Sequence, residues 1–109
     1  MHRLAALNGR RGAKGLGIMA ALFTLGEIVI TPRAALLMQN LRINPASLFL
    51  RHVTGDWGEV SNDQRRVNEE AIREGGRILS AYGDGDLRVY VITEADRSAT
   101  TIRTEHEAW

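Results

Sequence analysis

The chain has 109 residues, 44% hydrophobic and 25% charged, which places it among single folded domains and excludes a disordered or collagen-like polypeptide. It contains no cysteine, so disulfides and thiolate metal sites are excluded. The formal net charge of +1 hides an uneven distribution: residues 1–55 carry seven Lys and Arg against one acid, residues 56–109 seven Arg against twelve acids. Two halves that complement each other in the fold are expected; the other reading is a nucleic-acid footprint at the basic end.

Residues 1–25 read as a leader, basic through Lys14 and then apolar and rich in small residues. The order is similar to a secretory signal, but no A-x-A site follows, and the run is too short for a membrane span. It passes straight into a strand-like stretch, Glu27-Ile-Val-Ile-Thr31. A flexible basic arm is expected, with Met19 as an alternative start. Arg3, Arg10, Arg11 and Lys14 are the residues through which that arm would bind nucleic acid. Residues 26–109 form the single domain.

After the first strand, Thr31-Pro32 supplies an N-cap followed by proline at the first helical position. The spacing then puts Leu36, Leu37 and Leu41 on the inner face of a short helix. Asn44-Pro45 repeats the start, Leu48, Phe49 and Val53 form the next stripe, and Gly55 stops it. Two short helices with a tight link are similar to a helix-turn-helix. The second, however, offers few polar side chains to read base edges, so a helical hairpin packed on a sheet is expected. His52 reads as a partly exposed helix-end residue favoured by the helix dipole. Trp57 is expected to plug a core edge with its indole N–H on a carbonyl. Ser61 to Gln64 is a capping box. The helix it opens runs through Val67, Ala71 and Ile72 to Gly75-Gly76. Arg65, Arg66, Asn68, Glu69, Glu70, Arg73 and Glu74 lie on its solvated side, with Glu69–Arg73 as an i,i+4 pair.

Residues 76–102 read as a three-stranded meander. Asp84-Gly85 favours a two-residue type I′ turn between a strand through Ile78–Tyr82 and one through Leu87–Thr93. Alternation sends Ile78, Ser80 and Tyr82 to one face, as it does Val89, Val91 and Thr93. A polar loop, Thr93 to Ser98, leads to a last strand at Thr100–Ile102, and the tail from Glu105 to Trp109 is expected to fray. The fold class is therefore α+β, with short helices on a three- to four-stranded antiparallel sheet that takes the early strand as its fourth member.

The usual chemical signatures are missing from the sequence. His2, His52 and His106 have no metal-ligand spacing, no glycine cluster sits between a strand and a helix as a phosphate loop must, and no serine occupies a nucleophile elbow. Neither a cofactor nor a metal is expected.

The segments Gly55-Asp-Trp-Gly58, Asn68, Gly76-Arg-Ile-Leu-Ser-Ala-Tyr82, Val91-Ile-Thr-Glu-Ala-Asp-Arg-Ser98 and Thr100-Thr101 together resemble a family of small uncharacterised "plasmid-related" proteins. These are carried on bacterial plasmids, integrative elements and prophages. The resemblance spans roughly Gly26 to Ile102. The chain departs from that family in its basic leader and in Arg103-Thr-Glu-His after the last strand. The resemblance implies a bacterial mobile-element context but no particular reaction; the function expected in that context is a cytoplasmic accessory protein that binds a host or element-encoded protein partner, for example to inhibit a host defence. Glu69, Glu70 and Glu74 with Glu94, Asp96 and Arg97 are the binding candidates, their acids standing in for nucleic acid. Helices before a small antiparallel sheet are also similar to RelE-like and barnase-like ribonucleases. That alternative would use Glu94, Arg97, Tyr90 and Arg77, with Arg88 and Arg103 nearby, as acid–base and cationic groups. A DNA-binding regulator acting through the basic arm is the remaining alternative.

Overall fold

The computed structural model describes residues 20–105 and Glu107; the basic arm, with Arg3, Arg10, Arg11 and Lys14, lies outside the described residues. In chain order the elements are β1 (Glu27–Ile30), α1 (Pro32–Asn40), α2 (Pro45–Val53), α3 (Asn62–Glu74), β2 (Ile78–Tyr82), a short 3-10 turn (Gly85–Leu87), β3 (Val89–Thr93) and β4 (Ala99–Thr104). Among the described residues the fold is α+β, with three helices against a four-stranded sheet in the order β1-β4-β3-β2.

Local sequence sets the helix starts. Thr31, Asn44 and Ser61 each cap a helix by accepting a backbone N–H, and Pro32 and Pro45 follow two of them. Ser61 supplies only half of the expected capping box, since Gln64 turns its amide inward to Asn68 at 2.9 Å. The tail is less loose at Glu107 than expected: its carboxylate accepts the hydroxyl of Thr31 at 2.7 Å and the N–H of Thr104 at 2.8 Å.

The sheet is mixed rather than all antiparallel. Short connections force β2, β3 and β4 to alternate direction, whereas β1 has no hairpin to any neighbour and joins β4 in parallel. The β2–β3 connection also differs from the expected two-residue turn. Asp84 has an extended φ of −133°, and the chain crosses through the 3-10 turn with Leu87 outside the strand. Gly83 is the residue this connection requires. Its φ is +99°, and a Cβ there would stand 2.6 Å from the carbonyl oxygen of Leu87.

One sheet face carries Ile78, Ser80, Tyr82, Val89, Val91, Thr93, Thr100 and Ile102, as the register of the three pairings dictates. Helices α1 and α2 cover it, giving a core of Ala34, Met38, Leu48, Tyr82, Val89, Val91 and Ile102. The inner face of α1 is thus Ala34 and Met38, with Leu37 at its margin. Leu36 is 59% exposed and Leu41 40% exposed, because Leu36 lies two residues, over half a helical turn, from both Ala34 and Met38 and Leu41 is the C-cap beyond the helix. A second cluster, Trp57, Ala71 and Ile78 with Phe23, Val60 and Ile72 around it, seats α3 beside β2. Trp57 plugs this cluster as expected, but its indole N–H has no partner among the described residues.

The outer edge of β2 is closed by specific groups. Asn68, expected on the solvated side of α3, is fully buried. Its side-chain amide donates to the carbonyl of Leu79 at 2.8 Å and accepts the N–H of Leu79 at 3.1 Å, as a neighbouring strand would. One step on, Ala81 donates to Trp57 and accepts from Glu59. Gly58 makes that approach feasible, since a Cβ there would meet the Ala81 carbonyl oxygen at 2.1 Å. Buried backbone groups left unpaired cost about 1–3 kcal/mol each. Asn68→Ala is therefore expected to destabilise the domain by about 2–3 kcal/mol and to release the Leu79 amide to fast exchange. Urea unfolding with amide exchange checks this; an unchanged midpoint would contradict the edge-closing role.

Candidate functional site

The residues most suited to chemistry by type are mostly engaged in holding the fold. His52 is fully buried rather than partly exposed. It lies one helical turn after Leu48, on the stripe that α2 presses against the sheet. Its Nδ1 is 2.6 Å from the Ser80 hydroxyl and its Nε2 2.9 Å from that of Thr93. Thr93 is in turn 2.7 Å from the Thr100 hydroxyl, which donates to the carbonyl of Leu25 at 2.7 Å. The direction of every proton follows from that last bond. Thr100 has one proton and spends it on Leu25, so Thr93 must donate to Thr100. His52 then donates to Thr93 from Nε2, and Nδ1 accepts from Ser80. The imidazole is neutral and fully partnered. Burial pushes its pKa down to about 3, since no acid stands among its partners to stabilise a cation. The ring of Phe23 closes the site edge-on at 5.2 Å.

Arg97 is similarly occupied. Held at a positive φ of 62°, it donates to the carbonyls of Ala71 at 2.9 Å and Gly76 at 2.6 Å, and to those of Glu94 and Ala95 in its own loop. It caps the C-terminal end of α3 and pins the β3–β4 loop to it. Glu94 pairs with Arg77 across the strands at 3.2 Å rather than with Arg97. Asp96 is exposed and accepts the N–H of Ser98 at 3.0 Å. The hydroxyl and N–H of Ser98 hold its carboxyl below its ordinary value.

Arg77, Tyr90 and Glu94 share the sheet face away from α1 and α2. The structure brings Arg77 to Glu94. Tyr90 lies four strand residues from Glu94, about 13 Å along β3, with buried Ile92 between them, and it donates to Glu105 at 3.3 Å. These groups do not converge on one phosphodiester. Of the acids on α3, Glu69, Glu70 and Glu74 are all exposed; by helical spacing Glu69 lies within a turn of Arg65 and Arg73, and Glu70 within a turn of Arg66 and Arg73. The ion pair formed on this helix is Asp63–Arg66 rather than Glu69–Arg73.

Two concave surfaces lie among the described residues. A shallow groove of about 420 Å³ runs between α3 and the sheet, lined by Gln64, Val67, Arg77, Leu79 and Ile92. A more enclosed cleft of about 370 Å³ opens between α1, α2 and the 83–88 connection. Leu37, Met38, Leu48 and Val89 form its floor, and Leu41 and Leu87, the latter 51% exposed, stand at its lips. One end is polar. Arg51 grips Asp56 with two hydrogen bonds, at 2.7 and 3.3 Å, and lies over the Tyr82 ring at 4.3 Å. The Tyr82 hydroxyl donates to the backbone carbonyl of Asp56 at 2.6 Å. Burial pushes the Tyr82 pKa up to about 12, so the phenol stays protonated and keeps that bond, while the hydrogen bond from Arg51 holds the Asp56 carboxyl below its ordinary value.

Sequence reasoning missed this cleft because its walls are far apart in the chain. A sign of the His52 site was present in the alternation, which turns Ser80, Thr93 and Thr100 inward where hydroxyls need partners. Among the described residues no cluster of three or more His, Asp or Glu is placed to hold a metal, and no helix is long and apolar enough to cross a membrane. No family model, no curated protein and no solved structure matches the chain.

The His52 site carries a pH signature. Its folded pKa lies below the value of about 6.5 for a free histidine, so the unfolded chain binds the extra proton as pH falls from 6.5 toward 3, and the folded state loses stability over that range. By linkage, wild type is expected to lose about 2 kcal/mol between pH 7 and pH 5. His52→Gln, although weaker at pH 7, should show a much flatter dependence over that interval. Urea midpoints at the two pH values decide it, and equal slopes for the two proteins would contradict the assignment.

Proposed function

We propose that this chain is an accessory protein of a bacterial mobile element that works in the cytoplasm by binding a protein partner, and that the cleft between α1, α2 and the 83–88 connection holds that partner. The observation that carries the reading is the cleft itself, about 370 Å³ with an apolar floor, exposed leucines at its lips and one polar end. A few anchored polar groups beside apolar walls are the composition of a site that seats a side chain or short segment of a partner. Leu41 and Leu87 contribute little to the core, so their placement at the rim fits recognition better than packing. At that end Arg51, which lines the cleft beside Tyr82 and is held by Asp56, offers a fixed cation against which a polar group of the partner would register. The mobile-element context rests on the resemblance of the Gly76–Tyr82 and Val91–Ser98 segments, and inhibition of a host defence protein is one form the binding would take.

The catalytic alternative is less well supported. Arg97 is committed to backbone carbonyls and Glu94 to Arg77, and neither is aimed at a common substrate position with Tyr90. The acidic mimic of Glu69, Glu70 and Glu74 is a second surface for the same role, all three side chains being exposed on α3.

Leu41→Glu and Leu87→Glu are expected to change stability by less than about 0.5 kcal/mol, as surface changes do, and to weaken partner capture at least about tenfold, or roughly 1.4 kcal/mol. The measurement is affinity capture from nuclease-treated host lysate, with the charge reversals Glu69→Lys, Glu70→Lys and Glu74→Lys alongside. Capture that survives both cleft variants and disappears with the charge reversals would move the binding surface to α3. Capture that vanishes on nuclease treatment would point to nucleic acid instead.

A further inference from the structure

The two edges of the sheet are finished in opposite ways. The β2 edge is sealed by Asn68 and by the Trp57–Glu59 segment. At the other edge, Glu27 donates to Ser98 and Thr31 donates to Ile102, each at 3.0 Å. Odd-numbered residues of this stretch therefore face β4, and the backbone N–H and C=O groups of Ile28 and Ile30 point outward, with no partner among the described residues. Ile28 is 45% exposed and Val29 38% exposed. The strand is short, at 4 residues, and carries Glu27 at one end, but it has no proline, lysine or bulge, three of the devices that ordinarily discourage edge-to-edge pairing.

We propose that two copies of this chain pair antiparallel through the β1 edge, about a twofold axis at Val29, joining two four-stranded sheets into one. The register is dictated by which residues face outward. Only even-numbered residues can exchange the paired hydrogen bonds of an antiparallel ladder here. An axis at Ile30 would set Ile28 against Pro32, which has no N–H. An axis at Ile28 would set Ile30 against Gly26, whose φ of +67° takes it out of the strand. An axis at Val29 pairs Ile28 with Ile30 twice, and both pairs lie within the strand. The side chains agree with that register. Val29 meets its own copy, Ile28 meets Ile30, and Glu27 faces Thr31 rather than a second carboxylate. Arg33, in the first turn of α1, stands at the strand end toward which the other copy's Glu27 points. Both residues are exposed, and neither forms an ion pair among the described residues. Unlike charges at the two ends of the edge favour an antiparallel copy of the same strand, an isologous contact that closes on itself.

The test is sedimentation velocity of the full chain over a concentration series, with amide exchange followed at Ile28 and Ile30. The expected result is a reversible dimer in which these two amides are protected at high concentration and released on dilution. Val29→Lys, which sets two cations against each other at the axis, should raise the dissociation constant at least about tenfold with an unchanged circular dichroism spectrum. A monomer at every concentration, or a dimer indifferent to Val29→Lys whose Ile28 and Ile30 amides exchange freely, would overturn the proposal. Protection of those amides in a monomer, appearing only with a different protein present, would assign the edge to a foreign strand and equally overturn it.

Discussion

The imidazole of His52 stands where α2 meets β2 and β3, and a single line of hydrogen bonds runs from it through Thr93 and Thr100 to the carbonyl of Leu25. Each hydroxyl in that line has one proton to give, so fixing the last bond fixes all the others. The consequence is structural before it is chemical. The line sets the height of α2 over the sheet, ties β3 to β4 inside the layer, and holds the segment before β1 against both. A buried polar network stabilises a fold only when every member is satisfied, and this one has a single arrangement that achieves it with a neutral ring.

The same economy extends to the other polar groups that look reactive by type. Asn68 substitutes for a strand along the β2 edge, Arg97 supplies donors to the exposed carbonyls at the end of α3, and Glu94 balances Arg77. With its interior chemistry committed to architecture, the molecule offers its surface for function. That surface is uneven: a cleft with leucine lips on the helical side, a face of mixed charge on α3, and a short apolar strand at the open edge of the sheet. The proposed binding role fits this distribution: a reactive group must be both perturbed and reachable, whereas His52, whose pKa burial pushes down to about 3, is sealed inside.

Much of the fold was legible because it is written locally. Thr31-Pro32, Asn44-Pro45 and Ser61 announce helix starts through groups a few residues apart, and the alternation in Ile78–Tyr82 and Val89–Thr93 assigns faces without any tertiary knowledge. What escaped depends on contacts distant in sequence. The direction of β1 is set by an unoccupied edge of β4 some seventy residues later. The 83–88 connection abandons the turn that Asp84-Gly85 favours because Leu87 leaves the strand and Gly83 takes the left-handed position. His52 and Asn68 were read as surface residues by type, although Ser80, Thr93 and Thr100, turned inward by the strand register, already required polar partners. The cleft could not be read at all, since Leu37, Leu48, Arg51, Tyr82 and Leu87 come together only when the helices lie on the sheet.

The central claim, that His52 is a neutral, directed link of the core rather than a surface or catalytic histidine, is tested most directly by its ring nitrogens. Long-range proton–nitrogen correlation spectra of the 15N-labelled protein from pH 7 to pH 4.5 report which nitrogen carries the proton. The account predicts a proton on Nε2, none on Nδ1, and no titration of the folded signal across that range. A ring protonated on Nδ1 at neutral pH, or an imidazolium forming near pH 6 in the folded state, would contradict it.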